Sequence, residues 1–340
     1  MTANEFRQEL KKLRGGYLFC GEEDYLKRRY LEAAREALGI EGDVFNHICL
    51  NADTYSPDRL MAVIEALPVM AETKLIEISG AALNNAGESE IEELIAVLAT
   101  LPRYEYNVLI FYTEADEVEI GTPKQPGKLL TALSEVLTPV LFRRETPARL
   151  SAWIAKHFAA EQIVAPPDTV ELLLSRCGCD MYLLSSEIAK LSWYLKGKGR
   201  ERLTVEDVRA VSSESKEIAA FDLANAILDG RTDEALSILN EMKRRKEKPE
   251  LLLSSISRVI GDLEVIKTLT DGGMTHAAIA SRLKMGEYKV SLYAKNAARR
   301  EMSRLHAMLE RCYEADLRIK SSKVDSYTVL DRLAAEAASR

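Results

Sequence analysis

The segment Tyr17-Leu18-Phe19-Cys20-Gly21-Glu22-Glu23-Asp24-Tyr25-Leu26 has the strand, tight turn and helix with which a nucleotide-binding domain holds phosphate, but it lacks the phosphate-holding residues. That chemistry requires G-x-x-x-x-G-K-[ST]. The glycines let backbone N–H groups cradle the phosphates, the lysine reaches the β- and γ-phosphates, and the hydroxyl binds Mg²⁺. Gly21 stands alone. Glu22, Glu23 and Asp24 after it suit the positive end of a helix dipole and would repel a triphosphate. A second stretch, Gly121-Thr122-Pro123-Lys124-Gln125-Pro126-Gly127-Lys128-Leu129, comes near the pattern. Its glycines are one residue too far apart, its prolines remove N–H donors, and Leu129 stands where Ser or Thr must bind Mg²⁺. The run Lys74-Leu75-Ile76-Glu77-Ile78-Ser79-Gly80 sits where a metal-binding strand would, without the Asp-Glu pair that would hold Mg²⁺. Neither ATP hydrolysis nor a cofactor nor a catalytic residue is expected.

Other reactive residue types are sparse. His47, His157, His276 and His306 show no paired ligand spacing and no neighbouring Ser or Cys nucleophile motif, and Cys177-Gly178-Cys179 lacks a second Cys or His cluster, so no metal site is expected. Two stretches resemble DNA-reading elements. Thr275 to Leu283 followed by Tyr288 to Ala298 has helix-turn-helix proportions, which two packed helices of any bundle share. Lys295, Arg299, Arg300, Arg304 and Arg311 recur at spacings that would line a basic stripe, a better nucleic-acid candidate than the run Lys243 to Lys248, whose commoner use is a solvated helix end. The last motif is apolar. Leu67-Pro68-Val69-Met70-Ala71-Glu72 fills what should be a polar loop, leaving two readings open: an exposed patch awaiting a partner, or a turn folded back under a sheet.

The elements that position these residues divide into two kinds. Up to about residue 145, short β-rich runs (Tyr17–Cys20, Val44–Leu50, Lys74–Ile78, Asn107–Tyr112, Val140–Phe142) alternate with helical patterns, which predicts βαβ crossovers and a mainly parallel sheet. Ser56-Pro57 is a strong helix start. Beyond Phe142 every pattern is helical. Residues 146–212 read as a small helical domain, and Thr204-Val205-Glu206-Asp207 as a capping-box variant. Residues 213–340 read as a bundle of about five helices, broken at Asp229-Gly230, Lys248-Pro249 and Asp271-Gly272-Gly273.

With 340 residues, 47% of them hydrophobic, the chain is long enough for two or three domains. No apolar run reaches the roughly 18 residues of a membrane span. Met1 to Lys12 reads as polar and helical, and Cys20, Cys49, Cys177, Cys179 and Cys312 are odd in number, so a reducing, cytoplasmic location is expected. The net charge of -7 is uneven: from Lys216 onward there are 22 basic and 19 acidic residues, before it 24 and 34, so the two parts are expected to meet different partners.

Taken in order, Tyr17 to Leu26, Leu67 to Ile78, Asp180 to Tyr194, Phe221 to Met242 and Ala315 to Leu333 resemble the delta-subunit family of bacterial replicative clamp loaders, part of the DNA polymerase III holoenzyme. The resemblance implies an α/β plus all-α, AAA+ architecture: a RecA-like domain (1–145), a three-helix lid (146–212) and a helical collar (213–340) that joins a five-subunit ring. It implies a subunit that does not itself hydrolyse ATP but serves a nucleotidyltransferase complex in the bacterial replisome. The implied partners are the sliding clamp (beta subunit), the tau/gamma and delta prime subunits, and primed DNA, with no membrane. Leu67, Pro68, Val69 and Met70 fall at the family's clamp-binding turn, where an apolar pair enters a pocket on the clamp; Val-Met departs from the Leu or Phe common there. Lys323, in the turn Ser321-Ser322-Lys323, falls near the primer end and joins Lys295, Arg299, Arg300 and Arg304 as a DNA-binding candidate. A helix-turn-helix regulator and an AAA+ ATPase with an aberrant phosphate loop are the alternatives.

Overall fold

The computed structural model describes residues 1–115, 117–122, 125–321 and 323–336, and they divide into two compact units, Met1–Glu145 and Thr146–Arg340. In the first, elements run in the order α1 (Ala3–Glu9), β1 (Gly15–Cys20), α2 (Asp24–Leu38), β2 (His47–Leu50), α3 (Pro57–Glu65), β3 (Lys74–Ser79), α4 (Glu88–Leu98), β4 (Asn107–Tyr112), β5 (Gly121–Thr122), β6 (Gln125–Pro126), α5 (Lys128–Leu133) and β7 (Thr138–Leu141). Five strands form one parallel sheet in the order β2-β3-β4-β1-β7, and β5 and β6 a separate two-residue antiparallel ladder. Both sheet faces are covered, as alternating side-chain directions require. Tyr17, Phe19, Leu75, Val108 and Ile110 pack with Phe6 and Ala34 on one side; Leu18, Cys20, Ile76, Ile78, Leu109 and Phe111 pack with Leu60, Ile64 and Leu94 on the other.

One expected strand starts late. Val44 and Phe45 precede β2 because the Asp43 carboxylate accepts the N–H groups of Phe45 (2.9 Å) and Asn46 (3.0 Å), and the Asp43 carbonyl accepts that of His47 (3.1 Å). An Asp side chain that captures nearby amides makes a turn and withholds them from a ladder.

The second unit is helical: α6 (Pro147–Ala160), α7 (Pro167–Cys177), α8 (Met181–Gly197) and α9 (Val205–Val211), then α10 (Lys216–Leu228), α11 (Thr232–Arg244), α12 (Pro249–Asp271), α13 (His276–Leu283), α14 (Glu287–Ala297), α15 (Met302–Ser321) and α16 (Ser326–Glu336). Residues 146–212 thus hold three long helices and the seven-residue α9. Thr204 and Asp207 make the reciprocal capping bonds at α9 (3.0 and 3.3 Å), and the Arg200 fork on Asp207 holds its carboxyl below the usual range. The later bundle has seven helices among the described residues, against about five expected from its breakers. Its long α12 buries Leu252, Leu253, Ile256, Val259, Ile260, Leu263 and Ile266, a stripe at helical spacing. Among the described residues no helix is long and apolar enough to cross a membrane.

Candidate functional site

The apolar turn 67–70 emerges from the carboxyl end of α3. That helix starts on Ser56, whose hydroxyl accepts the Arg59 N–H (3.2 Å) with Pro57 at the first position, and it buries Leu60 and Ile64. The carbonyls at a helix end lack helical partners and must be satisfied elsewhere. Here four in succession are met by side chains from the edges of β3 and β4: Val63 and Ala66 by the Lys74 ammonium, Ile64 by Asn107 (3.0 Å) and Glu65 by the Tyr106 hydroxyl (2.9 Å). Ala66 then turns to extended backbone, and Pro68, with no N–H to give, cannot continue the helix.

The turn that follows points outward. Leu67 is 74% exposed, Val69 48% and Met70 fully, with Pro68 half-buried. The turn is therefore not folded back under the sheet. Met70 is left-handed (φ 54°), which costs a non-glycine residue about 1–3 kcal/mol and persists only when its surroundings fix it. One source of that fixation is Asn46, whose buried amide pairs with both backbone groups of Val69: Nδ2–H to the carbonyl (2.9 Å), Oδ1 from the N–H (2.7 Å). The Asp43 turn also leaves Val44 and Phe45 80% and 68% exposed, a feature missed by reading Val44–Leu50 as one strand. The legible signal was Gly42-Asp43, a turn pair directly before two large apolar residues.

At the end of β1, where a phosphate loop would stand, the backbone and side chains are already engaged. Gly21 has φ +121°, and a Cβ there would lie 2.2 Å from the Phe142 carbonyl, so only glycine fits. That same carbonyl accepts the Glu23 N–H (3.0 Å), a donor a phosphate would need. Lys27, fully buried, sends its ammonium to Asp24 (2.6 Å) and the Thr113 carbonyl (2.6 Å), and Arg144 lies 3.7 Å from Glu23. In the near-miss stretch, Gly127 N–H is spent on Ile120 (3.2 Å), while Pro123 and Lys124 lie outside the described residues.

Only one group of three metal-capable side chains occurs among the described residues, His47, Cys49 and Glu77, and sequence spacing could not show it because it spans two strands. Both Glu77 oxygens are already held by Arg35 (2.6 and 2.5 Å), one also by His47 (2.8 Å), and burial beside Glu77 pushes the Cys49 thiol up. Burial likewise pushes Cys177 to about 12.

The basic stripe does not form as its spacing predicted. Lys295 lies on α14 and Arg304 on α15, with a break between Ala297 and Met302, so no single helix carries the set. Arg300 turns inward and is buried, its guanidinium on Asp229 (2.6 Å) and the Asn296 carbonyl (2.8 Å). Lys295, Arg299, Arg304 and Lys323 remain exposed, Arg299 bonded to Asn296 Oδ1. Arg311 is half-buried against the Glu336 carbonyl (3.1 Å), and Ser322 lies outside the described residues. In the run 243–248, Arg244 and Arg245 pair with Glu241. The helix-turn-helix candidate corresponds to α13 and α14, which bury Ile279, Val290, Tyr293 and Ala297 within the bundle core.

Residues 217–336 match a family model described as DNA polymerase III delta subunit, C-terminal domain. Over 321 residues the chain is 22% identical to DNA polymerase III subunit delta of Bacillus subtilis, covering 93% of this chain and 90% of the relative. Its fold is similar to the solved structure of the Bacillus subtilis DNA clamp loader delta protein, with a TM-score of 0.75 and 21% identity over 99% of this chain and 100% of that one.

Proposed function

We propose that the chain, whose residues 217–336 match the DNA polymerase III delta-subunit family, is a clamp-loader subunit acting in DNA replication that binds and opens the sliding clamp through Leu67, Pro68, Val69 and Met70. The observation that carries the reading is the outward turn itself: three large apolar side chains exposed on a helix end whose last four carbonyls are all closed by side chains. A soluble surface bears such side chains at a cost unless a partner covers them. Rigid presentation also limits the ordering entropy that binding must overcome.

The other roles follow the domains. Residues 1–145 serve as the clamp-binding domain and 146–212 as the lid, while 213–340 is the collar that joins the tau/gamma and delta prime subunits in the bacterial cytoplasm. ATP hydrolysis belongs to other subunits of the loader. What supports this is the occupied end of β1, where the Phe142 carbonyl accepts the Glu23 N–H that a phosphate would need and the Lys27 ammonium is held by Asp24 and the Thr113 carbonyl. Binding of primed DNA falls to Lys295, Arg299, Arg304 and Lys323, without Arg300. Capture of the organism's own sliding clamp by the full chain in solution, with no other loader subunit present, tests the reading; no detectable complex at micromolar concentrations of both would contradict it.

A further inference from the structure

We infer that the clamp-facing surface has a second part, the Val44–Phe45 turn, and that Asn46 joins it to the 67–70 turn as one body; the inference rests on the clamp-binding role proposed above. Val44 and Phe45 are of core type yet stand mostly in solvent, held there by the Asp43 carboxylate on the Phe45 and Asn46 amides. Asn46, next in the chain, is buried and uses its whole amide: Oδ1 on the Val69 N–H, Nδ2 on the Val69 carbonyl and on Asp43 Oδ2 (2.7 Å). Two hydrogen bonds between one side chain and the backbone of one residue fix both distance and orientation, so the two apolar turns are presented together.

The energetics require more than the Val69-Met70 pair. The apolar area of two such side chains is small against the loss of translational and rotational freedom and the side-chain ordering that association costs. Leu67, Val44 and Phe45, all exposed, supply the further apolar area that a lasting complex needs. The occupant is therefore the clamp, meeting both turns at once. Its matching region is an apolar cleft with a basic lip, because the exposed carboxylates Glu41, Glu65 and Glu72 flank the two turns in sequence, and the nearby cations Lys74 and Arg35 are respectively buried and paired with Glu77.

The test is calorimetric titration of the organism's own clamp with the full chain carrying Val44→Ser and Phe45→Ser together, alongside the unsubstituted chain. The doubly substituted chain should lose at least tenfold in affinity while its thermal unfolding curve stays unchanged, since neither side chain is in the core. Affinity within twofold of the unsubstituted chain would overturn the second part while leaving the clamp-binding reading intact. If the unsubstituted chain itself did not bind, that reading would fall and this inference with it. Phe45→Lys and Phe45→Glu supply the test should the serine pair fail to fold: each should lose at least tenfold and lysine more than glutamate, and a variant within twofold would again overturn the inference.

Discussion

The Lys74 ammonium donates to the carbonyl of Ala66, the last residue before the exposed turn, so the first charged group of β3 closes the helix that carries Leu67 to Met70. Its other acceptor is the carbonyl of Val63, and the centre of the Tyr106 ring lies 5.2 Å away. Burial pushes this lysine down from 10.5 to about 8. Between about pH 8 and 10.5 the unfolded chain holds a proton that the folded one has released, so unfolding free energy rises with pH across that window, and the cost of burying the charge is fully present below it. The thermal midpoint of the unsubstituted chain should therefore climb relative to that of Lys74→Met between about pH 8 and 10.5. A flat difference would contradict the burial of a charged Lys74. Below that window the same substitution should speed amide exchange at Ala66 to Met70, because two capped carbonyls lose their donor.

Arg300 and its exposed neighbours should behave oppositely. Arg300→Ala removes the 2.6 Å partner of Asp229, which keeps Arg231 at 3.4 Å, and empties a buried guanidinium site, so it should destabilise the chain by about 1–3 kcal/mol in denaturant unfolding. Charge reversal at Arg299 and Arg304 should leave stability within about 0.5 kcal/mol but lower the salt slope of loader binding to primed DNA by about one unit for each phosphate no longer neutralised, with base preference unchanged. An unaltered slope would make them a solvated surface only.

At the end of β1, the engaged Glu23 N–H and buried Lys27 predict that MgATP leaves the isolated chain's thermal midpoint unmoved. A ligand at about 100 times its dissociation constant would stabilise by about 2.7 kcal/mol, which a melting curve resolves easily. A clear upward shift at millimolar MgATP would revive the ATPase alternative.

Much of this was legible from residue types. Strand and helix alternation up to residue 145 is carried by runs such as Asn107–Tyr112, apolar on both faces as a doubly covered strand must be, and the lone Gly21 among carboxylates already argued against a phosphate cradle. The 67–70 turn was visible as apolar residues in a loop, but its direction was not, since that depends on Asn46 and Lys74, 23 and 8 positions away from their respective partners Val69 and Ala66. Val44 and Phe45 were hidden because β-propensity outweighed one Asp turn. The stripe failed for a related reason: i+4 spacing presumes an unbroken helix, and nothing local announces that Arg300 will leave the surface to meet Asp229, 71 residues earlier.

The central claim is that the outward turn carries the clamp interface, and its most direct test is the affinity of the full chain for the organism's own sliding clamp with Val69→Ala and Met70→Ala combined. Because these side chains pack little of the core, unfolding should change by no more than about 0.5 kcal/mol, while affinity should fall at least about 30-fold, roughly 2 kcal/mol. A correctly folded double variant that binds the clamp within twofold of the unsubstituted chain would contradict the account.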